Sequence, residues 1–282
     1  MSGDRRRLVL DTDLGSDVDD VLALAVILGS PSLQLDAITT VYGDTRLRAR
    51  LTRYALDRAG AELPVAVGSS ETLSGKEVWW AGWEGELVPD LDTVGLDAAL
   101  DAHALLAATP TVLAIGPLTN LGQVLAGDHR VEHVVAMGGY FGSDPDRSEH
   151  NVSSDAVAAA AVVRSGVPVT MIGWEQTTRV RLGADELAAF DHGDFGSFLA
   201  AEVRAFWRHV GETSNAPHDP LAVLMITDPG LFTFTAGTIT VRPDGLTRFA
   251  PGDGPHRIVT DLDEDRVVPV LVERLVAATA GG

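Results

Sequence analysis

Short apolar runs rich in β-branched residues alternate, through the first two thirds of the chain, with longer stretches whose apolar positions recur at helical spacing. The short runs predict strands near 7–11, 35–41, 64–67, 111–115, 132–137 and 168–172. The longer stretches predict helices near 18–29, 45–59, 97–108, 118–127 and 155–165. Val112-Leu113-Ala114-Ile115 and Val134-Val135-Ala136-Met137 are continuously apolar rather than alternating, as in strands covered on both faces. The order predicts βαβ units and hence an α/β fold: a doubly wound, mainly parallel, Rossmann-like open sheet flanked by helices. Ligands of such sheets bind outside the carboxyl ends of the strands, so the polar residues just after each strand are the ones to search.

Beyond residue 180 the alternation weakens. Helical patterns lie near 184–191 and 195–210, followed by the apolar run Val223 to Ile226, a β-rich stretch at 232–241 and a helix near 264–279. The stretch 69–95, rich in Gly and Trp, reads as a long loop, and long loops in compact domains are often functional. No repeat, low-complexity tract or shift in composition marks a boundary, so residues 1–282 read as a single domain.

Composition narrows the function classes. The 40 acidic residues against 21 basic ones give a formal charge of −19, a field that repels nucleic acid unless a basic stripe offsets it. The run Arg5-Arg6-Arg7 reads as a solvated entry to the first strand rather than such a stripe. A small-molecule substrate is expected instead. With no cysteine, any bound metal must rely on oxygen or imidazole ligands. The apolar run Leu8 to Leu10 is stopped by Asp11, too short for a signal peptide, and no segment approaches the roughly 20 apolar residues of a membrane helix. No membrane partner and a cytoplasmic location are therefore expected.

The most concentrated chemistry lies after the first strand, in Asp11-Thr12-Asp13-Leu14-Gly15-Ser16-Asp17-Val18-Asp19-Asp20. Capping and dipole stabilisation of the helix that follows would account for Asp17 and one neighbour. They do not account for Asp11, Asp13, Asp19 and Asp20 together, because converging carboxylates repel unless protons or a cation neutralise them. Calcium accepts six to eight oxygen ligands in flexible geometry, which suits a crowded carboxylate turn better than octahedral magnesium does. An EF-hand is excluded by Leu14 and Leu22 at its required acidic positions. A phosphatase with an Asp nucleophile, like the haloacid-dehalogenase-like enzymes, could also show Asp-x-Asp, but the chain's only lysine, Lys76, sits in a Gly/Ser-rich loop.

Other strand ends add weaker signals. The second strand leads into Thr39-Thr40-Val41-Tyr42-Gly43-Asp44, the fourth into Gly116-Pro117-Leu118-Thr119-Asn120 and the fifth into Met137-Gly138-Gly139, ahead of Glu149-His150-Asn151. Thr119 on its own suggests a helix cap ahead of a carbonyl ligand. Near the C-terminal third, His218-Asp219-Pro220 opens an apolar helical pattern. That pair suits capping, or, if Asp219 reaches the metal, a histidine with an ordinary pKa of about 6.5 set beside the reacting group.

Taken in order, these segments resemble the nucleoside hydrolases, the inosine-uridine preferring and related N-ribohydrolases, over nearly the whole chain. The resemblance implies calcium-dependent cleavage of the N-glycosidic bond of purine or pyrimidine ribonucleosides, as in nucleoside salvage. It implies calcium held by the carboxylates of Asp13, Asp20 and Asp219 and the main-chain carbonyl of Thr119, with Asp11 in support. Asp19 becomes the base that takes a proton from the attacking water, and His218 the acid toward the departing base. Glu149, Asn151 and Asp44 are placed to hold sugar hydroxyls. Because many members form dimers or tetramers, a homo-oligomer is implied as well.

The chain departs from the family pattern in several places. Asp17 lies in a two-residue extension before Asp19-Asp20 and competes with Asp19 for the base role; Asp19 is favoured because it directly precedes a metal ligand. Asp44 stands where Asn is common, and the loop before Glu149 offers Ser143, Asp144 and Asp146 in place of an asparagine. The third strand leads to Trp79-Trp80-Ala81-Gly82-Trp83-Glu84-Gly85 without the usual His-Gly. Trp83 and Trp207 are thus candidates to stack on the base, or equally to pack a lid or an interface. Competing functions are hydrolysis of another N-riboside and a non-catalytic calcium- or ribose-binding protein; the presence of Asp19, Asn151 and His218 speaks against the second.

Overall fold

The computed structural model describes residues 5–97 and 99–280. The chain runs β1 (Arg6–Thr12), α1 (Asp19–Leu28), β2 (Leu33–Thr40), α2 (Thr45–Arg58) and β3 (Val65–Val67). Then follow α3 (Ala102–Ala108), β4 (Thr111–Ala114), α4 (Thr119–Val124), β5 (His133–Met137), α5 (His150–Ser154), α6 (Ala156–Arg164) and β6 (Val169–Ile172). The last third holds α7 (Trp174–Thr177), α8 (Ala184–Phe190), α9 (Gly193–Val210), α10 (His218–Thr227), β7 (Phe232–Val241), β8 (Thr247–Pro251), β9 (His256–Leu262) and α11 (Glu264–Thr279).

The strands form one sheet in the order β3-β2-β1-β4-β5-β6-β9-β7-β8. Pairing is parallel from β3 through β9, and β7 runs antiparallel to both β8 and β9. The doubly wound, mainly parallel sheet expected from the continuous apolar runs is thus the observed architecture. From β1 the chain winds outward to β2 and β3, then returns to the other side with β4, β5 and β6. The switch therefore falls between β1 and β4, where crossovers leave on opposite faces and open a crevice at the carboxyl ends.

Two apolar clusters cover the two faces. On one, α1 packs against α10 and α11, and its residues 19–27 are buried all around, as suits a helix enclosed on every side. Gly29 ends this helix where α11 crosses it: a Cβ there would lie 1.9 Å from the Arg274 carbonyl oxygen, so only glycine permits the approach. On the other face, α3, α4 and α6 cover Val112, Val134 and Val169.

Several expected boundaries shift. The helix expected over 97–108 begins only at Ala102, capped by Asp101, and residue 98 lies outside the described residues. The apolar run Val223 to Ile226 belongs to α10, the helical pattern opened by His218-Asp219-Pro220. The strands β8 and β9 had no counterpart in the sequence pattern, because they are short and partly exposed and carry charged or polar residues at the solvent positions. Among the described residues no helix is long and apolar enough to cross a membrane.

Candidate active site

A cavity of about 440 Å³ opens at the carboxyl ends of β1, β4 and β5, beside the switch point, within the size range of small-molecule sites. Its wall includes Asp13, Ser16, Asp17, Asp19 and Asp20 from the turn after β1, and Ile115 and Met137 from strand ends. Ser148, Glu149, His150 and Asn151 close one side; His218 and Asp219 enter from the start of α10. Trp79, Trp83, Trp174, Phe206 and Val210 complete it with apolar surface.

Two of the expected metal ligands, Asp20 and Asp219, converge at its base together with Asp19, the expected base. Oxygen atoms of Asp19, Asp20 and Asp219, all buried, lie within 4.8 Å of one another. Burial, then the charges of Asp17, Asp20 and Asp13, pushes Asp19 well above the ordinary carboxylate range. Asp20 and Asp219 are driven the same way, by burial first and by neighbouring carboxylates after it. Asp13 is nearly buried beside them, and a Cβ on Gly116 would come within 2.7 Å of its Oδ1, so the glycine after β4 gives this carboxylate its room.

Behind this group Asp11 is fully buried at the end of β1 and does not line the cavity. Its Oδ1 accepts from Thr39 Oγ1 at 2.6 Å and Asn120 Nδ2 at 2.8 Å, whereas Oδ2 has no hydrogen-bond partner among the described residues. Burial pushes its carboxyl up to about 7 against those two hydrogen bonds, with the charge of Asp13 adding to the rise. Thr12 Oγ1 donates to Asp20 Oδ1, orienting that carboxylate from the strand itself. An all-oxygen donor set with an orphaned buried oxygen and mutually raised carboxylates fits a hard divalent cation.

The other expected residues divide. Asp17 does not cap α1; the N-cap is Val18, and Asp17 Oδ1 accepts the Val18 N–H at 2.5 Å from an exposed position. Thr119 begins α4 and does not line the cavity; its hydroxyl donates to Asp155 Oδ2 at 2.7 Å, which leaves only its carbonyl as a candidate ligand. Glu149 lines the cavity but also caps α5, accepting from Gly139 N, Asn151 N and Val152 N at 2.7–3.0 Å. Asn151 donates Nδ2 to Ile115 O at 2.8 Å, bridging the ends of β4 and α5.

Two expectations are corrected by position. Asp44 is exposed at the N-cap of α2, accepts from Leu47 N at 2.9 Å and does not line the cavity. Trp207 does not line it either, its indole N–H held by Asn215 Oδ1 at 2.9 Å. Trp83 does line the wall, with Nε1 donating to Ser16 O at 3.0 Å. Lys76, the residue on which a phosphatase reading would depend, instead donates to Ser153 O on the surface.

His218 is the first residue of α10, and its Nδ1 lies 2.6 Å from Thr177 Oγ1. Burial, with the charge of Arg181 adding, lowers its pKa to about 4, so the ring is neutral near pH 7. Other contributors were not assigned a role from the sequence. Arg48, fully buried in α2, donates to Tyr42 O at 2.7 Å and Leu14 O at 3.2 Å and sits over the Trp80 ring, tying the second strand's loop to the acidic turn. Glu84 accepts from Ser16 Oγ at 2.9 Å, pinning the Trp-rich loop to the same turn. Trp79, Trp174 and Phe206 reach the wall from separate parts of the chain.

Known proteins match this chain in sequence and in fold. The family described as inosine-uridine preferring nucleoside hydrolase matches residues 8–268. Uridine nucleosidase 1 of Arabidopsis thaliana is 31% identical over 273 residues, covering 86% of this chain and 80% of the relative. The non-specific ribonucleoside hydrolase of Shigella boydii is 30% identical over 275 residues, covering 86% and 90%. Among solved structures, a plant nucleoside hydrolase superposes with a TM-score of 0.82 at 25% identity, covering 97% of this chain and all of that one. A purine-preferring ribonucleoside hydrolase from Gardnerella vaginalis gives 0.78 at 25% identity, covering 98% and 100%.

Proposed function

The chain belongs to the inosine-uridine preferring nucleoside hydrolase family, and on that premise we propose a calcium-dependent ribonucleoside hydrolase with Asp19 as base and His218 facing the departing nucleobase. Membership itself makes the protein an enzyme that hydrolyses the N-glycosidic bond of ribonucleosides. The observation that carries the finer reading is the convergence of Asp19 and Asp20 with Asp219, from distant parts of the chain, on one buried point of the cavity.

The carboxylates of Asp13, Asp20 and Asp219 and the carbonyl of Thr119 would hold the ion, with Asp11 behind them. Calcium suits the all-oxygen, carboxylate-rich set; when bound, it offsets the mutual repulsion of these groups, holds the ribose diol and modestly acidifies the attacking water. Asp19 lines the cavity beside Asp20 and accepts the proton of that water at its carboxylate. Cleavage develops positive charge on the sugar, which the surrounding carboxylates stabilise. Glu149 and Asn151 hold sugar hydroxyls, while Trp83, with Trp79 and Trp174, walls the space for the base.

Ribose release from a panel of ribonucleosides, with and without chelator and after calcium add-back, tests the reading. Release abolished by chelator and restored by calcium supports it. Silence across the panel with calcium bound overturns the substrate assignment, and release unaffected by chelator overturns the metal.

A further inference from the structure

His218 and Thr177 stand 41 residues apart in sequence and 2.6 Å apart in space, and counting the protons between them decides more than their proximity does. Thr177 is fully buried, so no water competes for its hydroxyl, and that hydroxyl has one proton to give. Two acceptors lie within its reach: His218 Nδ1 and, at 3.1 Å, the carbonyl oxygen of Trp174. The Trp174 carbonyl, however, already receives the Thr178 N–H at 3.1 Å and the Thr178 hydroxyl at 3.0 Å. Those two donors fill its two lone pairs. The Thr177 proton is left for the shorter contact.

We propose that Thr177 donates its hydroxyl proton to His218 Nδ1 and so holds the imidazole in the tautomer that carries its own proton on Nε2. Thr177 is then a positioning residue for the leaving-group side of the reaction. The proposal rests on His218 facing the departing base. With the proton on Nε2, His218 presents a hydrogen-bond donor to the base atom that gains negative charge as the N-glycosidic bond breaks; the proton stays on the imidazole throughout. The opposite tautomer would present a lone pair to the same atom and oppose the departure. His218 thus assists because Thr177 selects which nitrogen is protonated.

The test is made on the full-length, calcium-loaded protein labelled with ¹⁵N in histidine. Two-bond proton–nitrogen correlations, which separate a protonated ring nitrogen from a bare one, should show His218 protonated at Nε2. Thr177→Ser should keep that signature; Thr177→Val, which has the same shape without the hydroxyl, should lose it to a mixture of tautomers. In parallel, Thr177→Val should lower kcat on inosine and uridine by about 10-fold, the scale of one hydrogen bond, and leave p-nitrophenyl riboside within about 2-fold, with Thr177→Ser near wild type. A wild-type spectrum with the proton on Nδ1, an unchanged spectrum in Thr177→Val, or equal kinetic loss on both kinds of substrate would overturn the proposal. His218→Ala separates its premise: equal loss on both substrates would remove His218 from the leaving-group side, whereas the spectrum alone decides what Thr177 does to the ring.

Discussion

The indole of Trp83 lies flat on the imidazole of His209, with ring centroids 4.4 Å apart and 5° between the planes. On its edge the indole N–H is taken by Ser16 O, and His209 Nε2 is 2.7 Å from Glu86 Oε1. The Trp-rich loop is thereby held between the acidic turn after β1 and the last turn of α9. A stacked pair of this kind contributes about 1 kcal/mol beyond its buried area, so His209→Ala should raise KM for nucleosides by about 3- to 10-fold. Steady-state kinetics should find kcat changed by no more than about 2-fold, because no group at the proposed reacting centre is touched.

Arg48 holds the site together from below. Its guanidinium is fully buried and bonds to backbone oxygens of both Tyr42 and Leu14. Its charge also lowers the pKa of Asp20, against the dominant effect of burial. Arg48→Met should cost about 3 kcal/mol in urea unfolding, since buried carbonyls lose their charged donor, and should weaken calcium binding measured by calorimetry. Unchanged calcium affinity would show that the arginine acts on the fold alone.

Calcium should stabilise the protein more at pH 8 than at pH 5. The folded-state pKa values of Asp19, Asp20 and Asp219 are raised above their ordinary carboxylate value. The metal-free fold therefore holds protons that the unfolded chain releases, and its stability falls as pH rises above the ordinary carboxylate range. Ligand binding to the folded state alone adds stability by mass action, and it competes with those protons at low pH. Differential scanning fluorimetry with and without calcium should show the larger rise in Tm at pH 8.

Glu202, on α9, gives a second pH dependence, independent of any ion. Burial, with the charge of Glu86 adding, raises its carboxyl to about 7. A raised acid contributes stability that is fully present below the unfolded pKa of about 4.3 and is lost as pH rises to about 7. Glu202→Gln, neutral at every pH, should accordingly raise Tm relative to wild type at pH 8 and hardly at all at pH 4. An equal shift at both values would show that the side chain's packing, not its charge, matters.

Loss of the ribose 2′-hydroxyl should weaken turnover if the diol contributes to the ion's shell. Inosine should be cleaved at least about 10-fold faster than 2′-deoxyinosine under matched conditions, the scale of one charge-assisted contact. Equal rates would exclude the diol from the metal's coordination.

Much of this protein is determined by neighbours in sequence. Val112 to Ile115 and Val134 to Met137 are apolar without interruption because helices cover both faces, and that local pattern suffices for a parallel, doubly wound sheet. The acidic turn after β1 was legible for the same reason: its residues sit within ten positions, and their crowding of charge is itself the signal. The strands β8 and β9 escaped because short, half-exposed segments carry little periodicity. What only the tertiary structure decided depends on contacts between distant residues. Asp44 and Trp207 have side chains suited to a substrate site, but a helix cap claims one and Asn215 the other. Arg48 and Thr177 have ordinary sequence surroundings and gain their roles only because the strand order brings loops from separate βα units to one rim of the sheet. Local pattern sets which elements form, since it acts through the few residues that share a turn or a face; which side chains meet depends on the crossovers between strands, which no short stretch of sequence records.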